Sequence, residues 1–259
     1  MKQKNHFFFG YTGNKKDEVD EIINNIKFTD IENIVETFCG SSAISFHIWM
    51  KYGDKFNYYL NDNSIKIIEI YNLFINHNLD HINDEIKKII DKIDNKNDWI
   101  NYYKNGDNTI YKNLFFHKYS ARGRLGFYPL GRGDLKNKQI KPTQLQELFI
   151  KFIQAPYVYI TCDDWYNIFN IHKNNENSII ILDPPYMDSN NDFYLEKTIN
   201  VYEYFYNNKI ETFKSHIYLI LEDMWIIRML FNNNKFLTSY NKKYEISKKK
   251  TKHTIIYNH

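Results

Sequence analysis

The 259-residue sequence predicts an α/β protein with a doubly wound, mostly parallel sheet and a mostly helical insertion. Strand and helix patterns alternate up to about residue 75, break off, and resume at about residue 156. Residues 178–182 (SIIIL) form a continuous aliphatic run, which is typical of a strand buried on both faces of a parallel sheet. We therefore expect a core of residues 1–75 plus 156–259 and an inserted domain of residues 76–155.

The first half of the expected core alternates between helices and strands. Its elements are predicted over residues 17–27 (helix), 33–38 (strand), 39–52 (small-residue turn, then helix), 56–60 (strand) and 67–74 (helix). The second half resumes with strands over 157–162, 178–182 and 215–222, a helix to about 231, and β-like runs at 243–246 and 253–257.

The insertion is predicted to hold helices over 81–94 and 142–154, separated by a loop-rich basic stretch. Residues 118–141 contain seven Lys or Arg against one acid, so this segment carries +6 although the whole chain carries only +3. Basic charge is therefore concentrated in one place, which favours contact with a polyanion there.

Several classes of protein are disfavoured by what the sequence lacks. No stretch approaches the roughly 20 apolar residues of a membrane span, and the first residues lack the apolar region of a signal peptide. With only Cys39 and Cys162, a disulfide scaffold is unsupported, and we expect an intracellular, cytoplasmic setting. No Cys–His cluster indicates a metal site, and neither a GxxxxGK[ST] loop nor a GxSxG elbow is present.

Four polar turns follow predicted strands, where open α/β sheets place their ligands. The first is the small-residue turn Phe38–Ser42, which would allow close backbone approach, although such turns are common in any α/β protein. Asp62 could bind the two hydroxyl groups of a ribose, or it could cap the helix that follows. Asp164 suits an exocyclic amine or marks a simple turn beside Trp165.

The fourth turn, Asp183-Pro184-Pro185-Tyr186, is the most specific. Two prolines hold a carboxylate and an aromatic ring rigidly at the end of a buried strand. The ring could stack on a planar amine-bearing substrate, while Asp183 and the Pro184 carbonyl accept the two amino hydrogens and activate the nitrogen. A proline-stiffened turn with a capping acid is the alternative.

In motif order the chain resembles the Dam-type (α-group) DNA N6-adenine methyltransferases. The resemblance extends from Tyr11-Thr12-Gly13-Asn14-Lys15 through Val35–Ser42, Leu60–Asn63, Cys162–Trp165 and DPPY to the tail at 251–259. It implies a Rossmann-like, S-adenosylmethionine (AdoMet)-dependent fold. Ser42 and Asn14 stand where the family usually has glycine, and Thr37 where it has proline.

The resemblance also implies roles for single residues. Tyr11 and Lys15 would border the methionine end of AdoMet, and Phe38 and Gly40 would form its backbone cradle. Asp62 would hold the ribose and Asp164 the adenine amine. Asp183, with Pro184 and Pro185, would position the target N6 amine beside the cofactor, and Tyr186 would stack on the flipped base. No metal takes part.

The basic stretch is similar to the DNA-contacting part of the family's insertion. Lys118, Arg122, Arg124 and Arg132 would contact duplex DNA, since guanidinium groups suit guanine edges and phosphates. We expect a site-specific adenine methyltransferase, a monomer or weak homodimer without membrane attachment. Methylation of cytosine N4 or RNA is an alternative, as is a non-catalytic DNA-binding module that retains the fold.

Overall fold

The computed structural model describes residues 6–8, 15, 17–120, 128, 139–185, 200–231, 237–243 and 250–259. The chain divides into two compact units. One consists of Lys15–Ser64 and Pro156–His259, and it contains every strand of the sheet. The other consists of Met1–Asn14 and Ile65–Ala155 and is helical where it is described.

The sheet unit contains a seven-stranded sheet in the order β3-β2-β1-β4-β5-β7-β6. The strands are β1 (Asn33–Glu36), β2 (Asn57–Asn61), β3 (Val158–Thr161), β4 (Ser178–Leu182), β5 (His216–Glu222), β6 (Leu237–Lys243) and β7 (Lys250–Tyr257). β1 to β5 run parallel, and β7 is antiparallel to both β5 and β6. This confirms the predicted doubly wound, mostly parallel sheet.

The described part of the sheet unit contains the α-helices α1 (Val19–Asn24), α2 (Ala43–Tyr52), α8 (Trp165–His172), α9 (Val201–Asn207) and α10 (Trp225–Leu230). Alternate residues of the central strands, such as Val35, Ile180 and Leu219, pack in one cluster with Trp165 and Phe205. β4 is buried at every position, as a strand covered on both faces requires. The closing strand is held by Asn258, whose side-chain oxygen accepts from Ile217 N at 2.8 Å.

The helical unit contains α3 (Ile65–Asn76), α4 (Leu79–Ile90), α5 (Lys96–Asn105), α6 (Ile110–Tyr119) and α7 (Gln144–Ile153). Its core includes the fully buried rings of Trp99, Phe115, Phe116 and Phe149. α3 belongs to this unit, whereas the sequence-based division assigned residues 65–75 to the core. The functional assignment of the two units stays a prediction.

One sequence-based expectation about secondary structure was wrong. The stretch after residue 94 is not simply loop-rich, because α5 and α6 lie there. Side chains cap both helices: Asn95 and Asp98 form a capping box for α5, and Thr109 accepts from Lys112 N for α6. The sixth strand spans Leu237–Lys243, ahead of the run predicted at 243–246, of which residues 244–246 lie outside the described part of the chain. None of the described helices has the length and apolar character needed to cross a membrane.

Candidate active site

The carboxyl ends of four parallel strands meet at one edge of the sheet. The register pairs Glu36 of β1 with Leu60 of β2 and Ile181 of β4. Hydrogen bonds continue past the strand ends: Thr37 N donates to Ile181 O at 3.2 Å and Cys39 N to Asn61 O at 2.7 Å. The turns singled out in the sequence after β1, β2, β3 and β4 therefore all begin at this edge.

The turn between β1 and α2 has an unusual backbone. Gly40 and Ser42 both have left-handed conformations, with φ of 47° and 48°. Glycine adopts this conformation at little cost, whereas a serine at positive φ is strained. Ser42 N donates to Cys39 O at 2.6 Å, which closes the turn just before α2. The loop therefore keeps a glycine-type geometry at the position where the sequence departs from the family pattern.

Asp62 connects this loop to the end of β2. Its Oδ2 accepts from Gly40 N at 2.9 Å, and its Oδ1 accepts from Ser64 N at 2.9 Å. The residue is only 5 % exposed. Burial raises the pKa of the carboxyl group, and the two backbone donors counteract part of that rise. Asp62 therefore fixes the loop and also forms the turn that precedes Ile65.

Asn61 was not among the predicted site residues, yet its side chain joins three strand ends. The fully buried carboxamide donates from Nδ2 to Thr37 O at 3.1 Å and to Asp163 O at 2.9 Å. Its Oδ1 accepts from Thr161 Oγ1 at 2.8 Å and from Asp163 N at 3.0 Å. These four bonds use the full capacity of the amide. Asn61 thereby fixes the turn after β3 relative to the loop after β1.

Asp164 caps α8: its Oδ1 accepts from Tyr166 N at 2.8 Å. The neighbouring Trp165 is 1 % exposed and belongs to the core. Its ring stacks against Phe38, with centroids 6.0 Å apart and planes inclined by 28°. Phe38 is half-buried and begins the turn between β1 and α2, whereas neither ring face of Trp165 is exposed.

Asp183 is ion-paired with Lys15 at the end of β4, and the lysine is only 4 % exposed. Burial alone would lower the pKa of Lys15, but the carboxylates of Asp183 and Glu18 more than offset this, so the pKa lies above its ordinary value. The site therefore holds a fixed ammonium group directly against the acid of the DPPY turn.

Further buried polar groups support this pair. Oε2 of Glu18 lies 2.8 Å from Nδ1 of His253 in β7, and both residues are at most 3 % exposed. The hydroxyl of Tyr240 lies 3.4 Å from the same Nδ1. The Pro185 carbonyl accepts from Tyr202 of α9 at 3.4 Å. The DPPY acid and its prolines are thus fixed from several elements of the sheet unit.

Glu36 is a second residue to which the sequence assigned no role. This last residue of β1 is 3 % exposed, and its Oε2 accepts from Ser45 N at 3.2 Å. Burial raises its pKa to about 8, with a smaller contribution from the charge of Asp183. The sequence did contain a signal for Glu36, because it is an acid within the predicted strand 33–38. The structure shows that all four residues of β1 are buried.

Several predicted site residues lie outside the described part of the chain: Tyr11, Tyr186, Arg122, Arg124 and Arg132. Lys118 is described and lies in the helical unit. Its Nζ donates to Phe8 O at 3.0 Å, and burial lowers its pKa. Its side chain therefore has an internal structural role in addition to the predicted contact with DNA.

Among the described residues, no group of three or more His, Cys, Asp or Glu could hold a metal ion. His77 and His81, four residues apart, do bring their rings to a centroid distance of 4.9 Å. The ring Nε2 of His81 lies 3.0 Å from the Tyr111 hydroxyl. This pair belongs to the helical unit.

The fold and the polar edge define the class of the protein: an α/β enzyme of the nucleotide-binding type, with an acid–proline–proline turn beside its cradle. Comparison with family models makes this specific. The model of the D12 class N6 adenine-specific DNA methyltransferases matches residues 11–255, and the chain belongs to this family. It is an enzyme that methylates adenine N6 in DNA at specific sites. A comparison with curated proteins finds no match.

Proposed function

We propose that the enzyme takes its methyl group from AdoMet and transfers it directly to a flipped-out adenine in duplex DNA. The observation that carries this is the Lys15–Asp183 pair at the end of β4, in the same unit as the turn that contains Gly40. A base stacked in a duplex cannot reach the partly buried Asp183 carboxylate, so the target adenine must be extruded.

The cofactor cradle fits AdoMet in the chemistry of its residues. Gly40, without a side chain, lets the ligand approach the backbone, and the buried Asp62 keeps acceptor capacity for ribose hydroxyls beyond its two backbone donors. Phe38 offers an apolar surface next to Asp164, the acid proposed for the adenine amine. Tyr11 and Lys15 are proposed at the methionine end. When bound, AdoMet supplies an electrophilic methyl group on a sulfonium centre.

Asp183 and the Pro184 carbonyl are proposed to accept the two hydrogens of the target N6 amine, with Pro185 fixing the turn and Tyr186 stacking on the base. Lys15 is ion-paired with the Asp183 carboxylate and holds it in place before substrate binds. The methyl carbon would leave the sulfonium sulfur, as a neutral thioether, while it bonds to the amine nitrogen; that nitrogen would give up one proton, for which this carboxylate is the hydrogen-bonded acceptor. No covalent enzyme intermediate and no metal is needed.

Lys118, Arg122, Arg124 and Arg132 are proposed to contact DNA, and the enzyme is expected to act in the cytoplasm as a monomer or weak homodimer. Asp as the first residue of DPPY favours adenine, because related cytosine N4 enzymes more often have Ser there.

The test is incubation of the full chain with methyl-labelled AdoMet and duplexes of varied sequence, followed by nucleoside analysis. We expect label on adenine N6 and none on cytosine. Asp183→Asn keeps the shape of the turn but removes the charge, so it should abolish transfer while AdoMet binding persists. Asp54→Asn, an exposed acid before β2, is the matched control and should keep full activity.

Normal turnover by the Asp183→Asn variant would overturn the proposed role of the turn. Label on RNA or on cytosine N4 would replace the acceptor while leaving the fold assignment intact. DNA binding without AdoMet binding by the unaltered chain would refute the proposed cofactor.

A further inference from the structure

The β6–β7 pair carries lysines to the edge of the sheet where the candidate site lies. The antiparallel register pairs Lys243 with Lys250 and Asn241 with Lys252 at the carboxyl end of β6. On its other side β7 pairs with β5, where His253 lies opposite Glu222. Because β5 runs parallel to β4, this end of the β6–β7 pair lies at the same edge as Asp183.

Cations outnumber acids in this region. Lys242, Lys243, Lys250 and Lys252 occupy the end of the β6–β7 pair, and Lys252 is exposed. The nearby acid Asp223, whose backbone N donates to Lys252 O at 2.8 Å, is neutralised by Arg228. That guanidinium forms two hydrogen bonds to the carboxylate, at 2.6 and 2.7 Å. With Glu222 and Asp223 counted against Arg228 and the four lysines, these residues carry a formal net charge of +3.

An exposed aromatic side chain lies next to these lysines in the chain topology. α10 begins three residues after β5 ends, and it exposes Trp225 by 70 % and Met229 by 67 %. The two residues are four positions apart, so they share one face of the helix. Large apolar side chains at this level of exposure, beside a basic edge, are typical of surfaces that contact bases and sugars.

The strand order indicates whether this region faces the cofactor or the acceptor base. β4, with Asp183, lies between β1 and β5. Four of the cofactor-binding residues proposed within the sheet unit (Phe38, Gly40, Asp62 and Asp164) follow β1, β2 or β3, which lie on one side of β4. The exceptions are Lys15 and Asp183. The acceptor must approach Asp183 from the remaining side, where β5, α10 and the β6–β7 pair lie.

We propose that Lys242, Lys243, Lys250 and Lys252, together with the Trp225–Met229 face of α10, form a second DNA-binding surface on the sheet unit. The lysines contact phosphates beside the target adenine, and Trp225 packs against the displaced or neighbouring nucleotide. This inference rests on the proposed function, and it is separate from the basic segment of residues 118–141. The occupant is duplex DNA during base extrusion.

The salt dependence of DNA binding tests the lysines. Each lysine that contacts a phosphate contributes about 0.9 to the slope of log K against log salt. The double variant Lys250→Gln with Lys252→Gln should therefore reduce the slope by about 1 to 2 and weaken binding about tenfold or more at moderate salt. Its matched control is Lys209→Gln with Lys214→Gln, two exposed lysines just before β5, at the opposite edge. That variant should keep the slope of the unaltered enzyme.

Intrinsic fluorescence tests the aromatic part. Trp99 and Trp165 are at most 1 % exposed and Trp49 is half-buried, so acrylamide should quench Trp225 most strongly, and the difference between the unaltered chain and Trp225→Phe separates its signal from that of Trp49. We expect DNA to protect this signal from acrylamide. Protection already in the absence of DNA would mean that the chain itself covers Trp225, and this would overturn the proposal.

The outcomes separate this inference from the proposed function. If the unaltered enzyme labels adenine N6 but the Lys250/Lys252 variant keeps its slope and its affinity for DNA, the second surface is refuted and the function stands. If the unaltered enzyme binds DNA without labelling it, the proposed function fails, while the slope measurement still decides the surface. An RNA that competes equally with duplex DNA would overturn the assigned occupant.

Discussion

Replacing Asn61 with leucine removes the four side-chain hydrogen bonds that join the ends of β1, β2 and β3. The carbonyl of Thr37 is fully buried, so losing its donor costs about 1–3 kcal/mol. Thr161 and Asp163 are exposed and can turn to water, so their three bonds cost about 0.5–1.5 kcal/mol each. Burial of the leucine side chain recovers part of this. We expect the free energy of unfolding to fall by about 2–5 kcal/mol.

The same change should act on AdoMet more than on the chemical step. The Asn61 amide fixes the turn between β1 and α2 relative to the turn that holds Asp164, but no hydrogen bond links it to Asp183. We expect the Kd for AdoMet to rise about tenfold, which corresponds to about 1.4 kcal/mol. At saturating AdoMet, kcat should change by no more than about twofold, because transition-state contacts are unaltered.

Urea unfolding, calorimetric titration with AdoMet and steady-state kinetics measure the three quantities. The control is Asn57→Leu at the other end of β2, where the amide makes a single 3.3 Å bond to Asn33. It should cost about 1 kcal/mol or less and leave AdoMet binding unchanged. If the Asn61 and Asn57 variants have the same unfolding midpoint and the same Kd, the reasoning about Asn61 is refuted.

Three further predictions concern strain and charge at this edge. Ser42→Gly should raise the free energy of unfolding, measured by urea titration, by up to about 1 kcal/mol, because serine is strained at φ 48°. The control variant Ser41→Gly should show no such increase. Burial raises the pKa of Glu36 to about 8, so the folded state binds the proton more tightly and loses stability as pH rises from about 5 to about 8. Glu36→Gln should remove that decline, and equal pH profiles would contradict it. Lys15→Met should lower the free energy of unfolding by about 3–5 kcal/mol, because the charge of Asp183 loses this partner. Adding Asp183→Leu should restore most of this stability but not the activity.

Much of the sheet could be predicted from local patterns. β4 has the predicted bounds, 178–182, because an unbroken aliphatic run between a polar loop and two prolines allows few other structures. The family resemblance was also confirmed, because it depended on the order of several motifs and not on a single match.

Residues whose role depends on strand register were not predictable in the same way. Asn61 is a single polar residue at a strand end, and only the alignment of β1, β2 and β3 reveals what its side chain reaches, whereas Glu36 reaches Ser45 N in α2. α5 was missed because it buries only Trp99, so its helical periodicity is faint and its capping box carries the signal. The strand over Leu237–Lys243 was not anticipated because its sequence, LTSYNKK, has little apolar alternation.

The pairing of β1 with β4 has a consequence for how the chain is made. Asn33 and its partner Ser178 are 145 residues apart, so the ribosome needs about 7 to 30 seconds to deliver the second strand after the first. During that interval one edge of β1 can pair only with β2, and its other edge stays open to strands of foreign or sister chains. Slow translation or high expression should therefore increase the demand of this enzyme for chaperones.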